Sequence, residues 1–205
     1  MSITPDQANP LGFVPTPDQI EQIFKEGYWS NAIRYALEYY DAGRFAVHAQ
    51  LLISANLLHH AVELLIKANL SRDDSAETIR QYGSPKKGYS HSLNAAWQEF
   101  KKRDPDPGLD AYDPVVKELD KFEDIRYPDK LVEGGAAISI ELVEDSSNAT
   151  GAAPIRTFTL SLPKIDRLVK VLFDRSGINP AGYQMLLEQK HAAPYFTLNN
   201  ATPIV

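Results

Sequence analysis

Leu51-Leu52-Ile53-Ser54-Ala55-Asn56-Leu57-Leu58-His59-His60-Ala61-Val62-Glu63-Leu64-Leu65-Ile66-Lys67-Ala68-Asn69-Leu70 is the stretch on which the fold turns. Its leucines, isoleucines and valine cover most of the circumference of a helix that the pattern predicts from Arg44 to Leu70. A helix apolar nearly all round belongs in the middle of a bundle or against a partner subunit. One narrow stripe departs from that pattern. At about 100° per residue, Asn56, His60, Glu63 and Lys67 fall within an arc of about 60°. Buried polar groups cost about 2 to 7 kcal/mol unless they are hydrogen-bonded, so the stripe must face solvent, a cleft or a partner's polar groups. One reading is a solvent-facing edge with an i,i+4 pair between Glu63 and Lys67, which contributes about 0.2 to 0.5 kcal/mol. The other is a cleft in which Lys67 contacts phosphate and Glu63 holds it in place.

Upstream, residues 1–15 read as an N-terminal arm with Pro5 and Pro10 and little periodicity. Thr16-Pro17-Asp18-Gln19 is a helix start: threonine caps, proline suits the first helical position, and Gln19 completes a capping box. That helix is expected to stop at Gly27, and a second one, capped by Ser30, to end near Gly43. Downstream of the central helix, Ser71 to Tyr89 reads as a loop with room for one short helix. A further helix is expected from Ser90 to Arg103, broken at Asp104-Pro105-Asp106-Pro107-Gly108. Asp113-Pro114 restarts a helix that should end around Arg126, before Pro128. Four long helices in about a hundred residues predict a helical bundle over 16–132.

After Gly134-Gly135 the period changes to two. Ile138, Ile140 and Leu142 alternate with Ser139 and Glu141, and Phe158, Leu160 and Leu162 with Thr157, Thr159 and Ser161. With a polar connector from Glu144 to Pro154, this predicts a β-hairpin. A helix from Pro163 to Ser176, ended by Gly177, completes a unit at 133–178 packed on the bundle's flank. A short helix after Asn179-Pro180 is expected within the tail, 179–205. The fold class is therefore mainly α, with an added C-terminal β-hairpin and helix.

The chain has 205 residues, and 27 acidic against 21 basic side chains give a formal net charge of −6. A globally basic nucleic-acid-binding surface is excluded, although a local basic patch is not. The absence of cysteine removes disulfides, thiol nucleophiles and zinc–cysteine sites. No run approaches 18 apolar residues and no basic-then-apolar leader is visible, so the expectation is a soluble, cytoplasmic protein. The phosphate-loop, dinucleotide, HExxH and GxSxG motifs are missing. Asn148-Ala149-Thr150 matches a glycosylation sequon by chance. Neighbours on a helix point about 100° apart, so His59-His60 makes a poor metal pair, and neither a metal site nor a cofactor is expected. His91, at the start of a helix, can cap, pack or meet an anion. Arg126, at the end of one, can complement its dipole. Lys164, Arg167 and Lys170, with Arg175, make a loose basic ridge on the last helix that reads best as a solvated face.

In order along the chain stand His59-His60-Ala61-Val62-Glu63-Leu64-Leu65-Ile66-Lys67, then Tyr89-Ser90-His91-Ser92-Leu93, then Arg126-Tyr127-Pro128-Asp129. Over about Ala32 to Lys130 this order resembles the HEPN family, the "higher eukaryotes and prokaryotes nucleotide-binding" domain. The resemblance implies an up-and-down four-helix bundle that usually forms a homodimer. It also implies either a metal-independent RNase or a non-catalytic module that binds nucleotide or RNA or partners a nucleotidyltransferase. The RNase signature is an arginine followed four to six residues later by histidine. Here Tyr127, Pro128, Asp129, Lys130, Leu131, Val132 and Glu133 follow Arg126, and the histidine is missing. Cleavage through a 2′-OH needs a base that titrates near neutrality, whereas arginine stays protonated and serves as a phosphate clamp. The expectation is thus a non-catalytic module with Lys67, Glu63, His91 and Arg126 as ligand-binding residues and no catalytic ones. The alternatives are a dimeric partner of a nucleotidyltransferase in a toxin–antitoxin or defence system, and an RNase of atypical pattern.

Overall fold

The computed structural model describes residues 15–49, 51, 53–82, 92–122, 136–142 and 156–178. They form a mainly helical protein with a small two-stranded parallel sheet. The N-terminal arm, the C-terminal tail with its expected short helix, and the connector at 144–154 lie outside the described residues.

Helix α1 runs without interruption over Pro17–His48. Its start is the expected one, with both hydrogen bonds of the Thr16–Gln19 capping box present. The expected stop at Gly27, the Ser30 cap and the end at Gly43 are corrected. Ser30 Oγ and Asn31 Nδ2 both donate to the Gly27 carbonyl and tie the helix together across the glycine. Gly43 is a packing residue: a Cβ there would lie 2.8 Å from Leu58 Cγ on the next helix. A glycine that admits a neighbouring side chain looks the same in sequence as one that ends a helix.

The continuous helix expected from Arg44 to Leu70 is likewise corrected. Arg44 belongs to the end of α1, and α2 spans only Ser54–Ser71. The Leu51 amide bonds back to Ala46 O and the Ser54 amide to Leu51 O, closing a turn that contains neither glycine nor proline. α2 then returns along α1, with Leu58 against Gly43 and Leu64 beside Tyr28 and Ala32. The reversal is a tertiary effect, in which apolar faces of the two helices bury each other and local propensity gives way.

Short α3, Ala76–Arg80, fills the expected loop. α4, Leu93–Arg103, is capped by Ser92 Oγ, which accepts from the Ala95 amide; Ser90, near which this helix was expected to begin, lies outside the described residues. The Asp104-Pro105 break leads into a 3₁₀ turn, Pro107–Tyr112, and then α5, Asp113–Lys121. Strands β1, Ala136–Glu141, and β2, Arg156–Ser161, pair in parallel, Ala136 with Arg156 and Glu141 with Ser161. The hairpin is therefore corrected. Alternation of period two reports a half-buried strand and is identical for both pairing directions, so direction was never encoded in it. α6, Leu162–Arg175, ends before Gly177, whose φ of +80° suits glycine.

α2 occupies the centre, packed against α1, α4, α5 and α6. The sheet and α6 pack against the helices. Phe158, Leu160, Leu168, Val169 and Leu172 join Leu58, Val62, Leu65, Ile66 and Trp97 in one continuous core.

Candidate functional site

The polar stripe of the central helix is largely buried. Glu63 and Lys67 are 7% and 6% exposed, and Asn56 and His60 are half-buried. The solvent-facing edge is thereby corrected, although the expected i,i+4 pair is present: Lys67 Nζ donates to Glu63 Oε1 at 2.5 Å. On the other carboxylate oxygen, His60 Nδ1 sits 3.2 Å from Oε2. His59, one residue earlier, brings its Nε2 to 4.0 Å from Oε2. Its Nδ1 lies 2.9 Å from the Leu119 carbonyl on α5, which can only accept, so that nitrogen carries the proton. The α2 cluster is thereby anchored to the last turn of α5.

Glu63 is the hub. Burial pushes its carboxyl up. The hydrogen bond from His60, the charge and hydrogen bond of Lys67, and the nearby His59 together outweigh that, and bring the group from 4.5 down to about 2. It stays ionised throughout the neutral range. The aromatic ring of Tyr39, on α1, stands 5.5 Å from the His60 ring and leads from the cluster to the surface. Of the four predicted ligand-binding residues, the structure brings Lys67 and Glu63 together. His91 and Arg126 lie outside the described residues, as does the expected end of the helix at Arg126.

Sequence reasoning missed a second buried ionic cluster. Arg44, only 1% exposed, forms an ion pair with Asp166 of α6, and the Tyr40 hydroxyl donates to Asp166 Oδ1 at 2.6 Å. Arg44 Nη1 also donates to the Tyr40 oxygen at 3.1 Å. The available signal was an aspartate set among Ile165, Leu168 and Val169 on the inward face of α6. His48, one turn beyond Arg44, is held below the usual imidazole range, first by burial and then by repulsion from Arg44, with Asp166 opposing.

The basic ridge of α6 is mostly neutralised within the molecule. Arg175 reaches Asp104 and Asp106, Lys170 lies 3.2 Å from Asp174, and Lys164 lies 4.0 Å from Glu141. Two grooves open on α1. An apolar one of about 430 Å³ is lined by Ile23, Phe24, Gly27, Tyr28, Tyr35 and Leu64, among others. A smaller one of about 250 Å³ has Lys25, Trp29 and Arg72 on its walls. Among the described residues no group of three His, Asp or Glu side chains is arranged to hold a metal ion, and no helix is long and apolar enough to cross a membrane. No family model, curated protein or solved structure matches the chain.

Proposed function

We propose that this chain is a HEPN-like helical-bundle module that binds the phosphate of a nucleotide or RNA end without cleaving it. The observation that supports the reading is the Glu63-centred cluster: an ammonium, a carboxylate and two imidazoles gathered on a central helix that is otherwise apolar. Burying an ion pair is weak evidence for stability, because desolvation offsets the attraction. Concentrations of interacting ionisable groups are characteristic of working sites. In the resting arrangement Lys67 is neutralised by Glu63. An incoming phosphate oxygen takes over the Lys67 ammonium, and Glu63 keeps its bond from His60, which stands nearest the surface. Arg126 and His91 supply the remaining donors in this reading. The chain has no histidine within seven residues after Arg126, which favours binding over cleavage.

The test is a thermal-shift series with ATP, GTP, their diphosphates, a short RNA and inorganic phosphate. A ligand present at about 100 times its dissociation constant adds about 2.7 kcal/mol and visibly raises the melting temperature. The expected result is a rise with one of these, lost in Arg126→Ala and in Lys67→Met. No shift with any of them overturns the reading. RNA cleavage that survives EDTA and disappears in Arg126→Ala would replace it with the RNase alternative.

A further inference from the structure

α1 outruns the helix that packs along it. Its 32 residues span about 48 Å and the 18 of α2 about 27 Å, at about 1.5 Å per residue. Over its later turns the inward side of α1 buries Ile33, Ala36, Leu37 and Tyr40. Counting about 100° per residue, Gln22, Lys25, Glu26 and Trp29 lie within about 60° of Tyr40, on that same side. Where α2 ends at Ser71 and Arg72, this stretch walls the smaller groove of about 250 Å³. Trp29 is half-buried, and its indole nitrogen is enclosed without a hydrogen-bond partner. An indole N–H can only donate, and a buried donor left unpaired costs about 1 to 3 kcal/mol. Phenylalanine would serve packing alone without that cost.

The charged groups on the walls are placed for an anion. Among the described residues no carboxylate forms an ion pair with Lys25. Arg72 Nη1 donates to the Arg175 carbonyl at 3.0 Å, which holds the guanidinium in place and leaves its other donors for a second acceptor. Gly177 leaves it room, since a Cβ there would lie 3.3 Å from that nitrogen. Glu26, the one acid among the described lining residues, accepts from Gln22 Nε2 at 2.6 Å. The last carbonyls of α2, which would repel an anion, are engaged: Ala68 O by the Ser71 hydroxyl, Asn69 O and Leu70 O by the Arg72 and Asp73 amides.

The geometry points to a binding site for a small organic monocarboxylate with an apolar body, seated between α1 and the end of α2. Two cations against one acid leave a single positive charge, which complements a carboxylate better than a doubly charged phosphate. The Arg72 fork and the Lys25 ammonium take the carboxylate oxygens in charge-assisted hydrogen bonds. The apolar body lies on the Trp29 ring, and an oxygen reaches the indole N–H as the long Lys25 and Gln22 side chains turn toward the ligand. The groove is a little smaller than the roughly 300 Å³ at which pockets for drug-sized ligands begin, so the ligand is small. The inference is independent of the phosphate-binding reading, because it uses none of the residues of the Glu63 cluster.

The experiment follows the indole N–H signals of the full chain by nitrogen–proton NMR during titration with sodium benzoate, sodium acetate or sodium phosphate at constant ionic strength. The chain has two tryptophans and so two such signals. Trp97 Nε1 donates to Asp113 Oδ1 at 2.7 Å and serves as the internal control, while Trp29→Phe assigns the other signal. Benzoate is expected to move the Trp29 signal saturably and leave that of Trp97 in place. Acetate, which lacks the ring, should need about tenfold more for half-saturation. Lys25→Gln and Arg72→Gln should each weaken benzoate about tenfold or more through loss of a charge-assisted bond. Melting curves run in parallel should show Lys25→Gln unchanged, since it has no ion pair among the described residues to lose. No saturable movement of the Trp29 signal overturns the inference. Equal movement of both signals, benzoate binding indifferent to Lys25→Gln, or phosphate binding tighter than benzoate overturns it too.

Discussion

Lys67→Met removes one partner of the buried pair at the centre of α2 and leaves the Glu63 carboxylate to His60 and His59. The side chains of Glu63 and Lys67 are 9% and 8% exposed, so solvent replaces little of what is lost. A carboxyl drawn from 4.5 to about 2 represents about 3 kcal/mol favouring its charged form, at 1.36 kcal/mol per pH unit. Lys67 supplies only part of that, while breaking a buried pair typically costs 3 to 5 kcal/mol because a charge is stranded. The expected loss is about 2 to 3 kcal/mol, a fall of about 5 to 10 °C in melting temperature for a chain of this size. Removing both charges in Glu63→Met/Lys67→Met should restore the melt to within about 1 kcal/mol of the parent, since no ion is left unpaired. The pH dependence has a definite sign. The folded value of Glu63 is depressed, so its contribution is complete above about pH 4.5 and is lost as the pH falls toward 2. In Lys67→Met this acid-side slope should shrink. Far-UV circular dichroism melts from pH 7 downward measure all three. A Lys67→Met protein that melts with the parent, or a double variant that is worse than the single one, would refute the reasoning.

Other consequences are as direct. Gly43→Ala drives a methyl into Leu58 and should destabilise by about 1 to 3 kcal/mol, read by urea denaturation; Gly27→Ala meets open space and should stabilise by up to about 1 kcal/mol. Asp166→Asn leaves the Arg44 guanidinium buried without its counter-charge and should cost about 3 to 5 kcal/mol, detaching α6 from α1 before the rest of the molecule unfolds, as seen by amide exchange. Because His48 is held below its ordinary value, the folded state binds fewer protons there than the unfolded chain. Its effect is a loss of stability as the pH falls through about 6.5, which His48→Gln should remove from the melting profile.

Much of the local structure follows from short-range chemistry and was legible as such. The Thr16–Gln19 capping box, the Asp104-Pro105 break and the Gly177 stop each rest on what one or two residues can do with their own backbone. The Glu63–Lys67 pair follows from helical spacing alone. What the sequence left open depends on groups that meet only after folding. Gly27 and Gly43 are the same residue in the same helix, and only the position of Leu58 distinguishes a contact from an open surface. The turn between α1 and α2 has no breaker in it, and forms because two apolar faces gain more from each other than from one long rod. The direction of strand pairing is absent from period-two alternation, and comes from where the chain re-enters beside α5 and α6. Whether the polar stripe met water or protein was undecided for the same reason: spacing determines which residues share a face, and packing decides what that face meets.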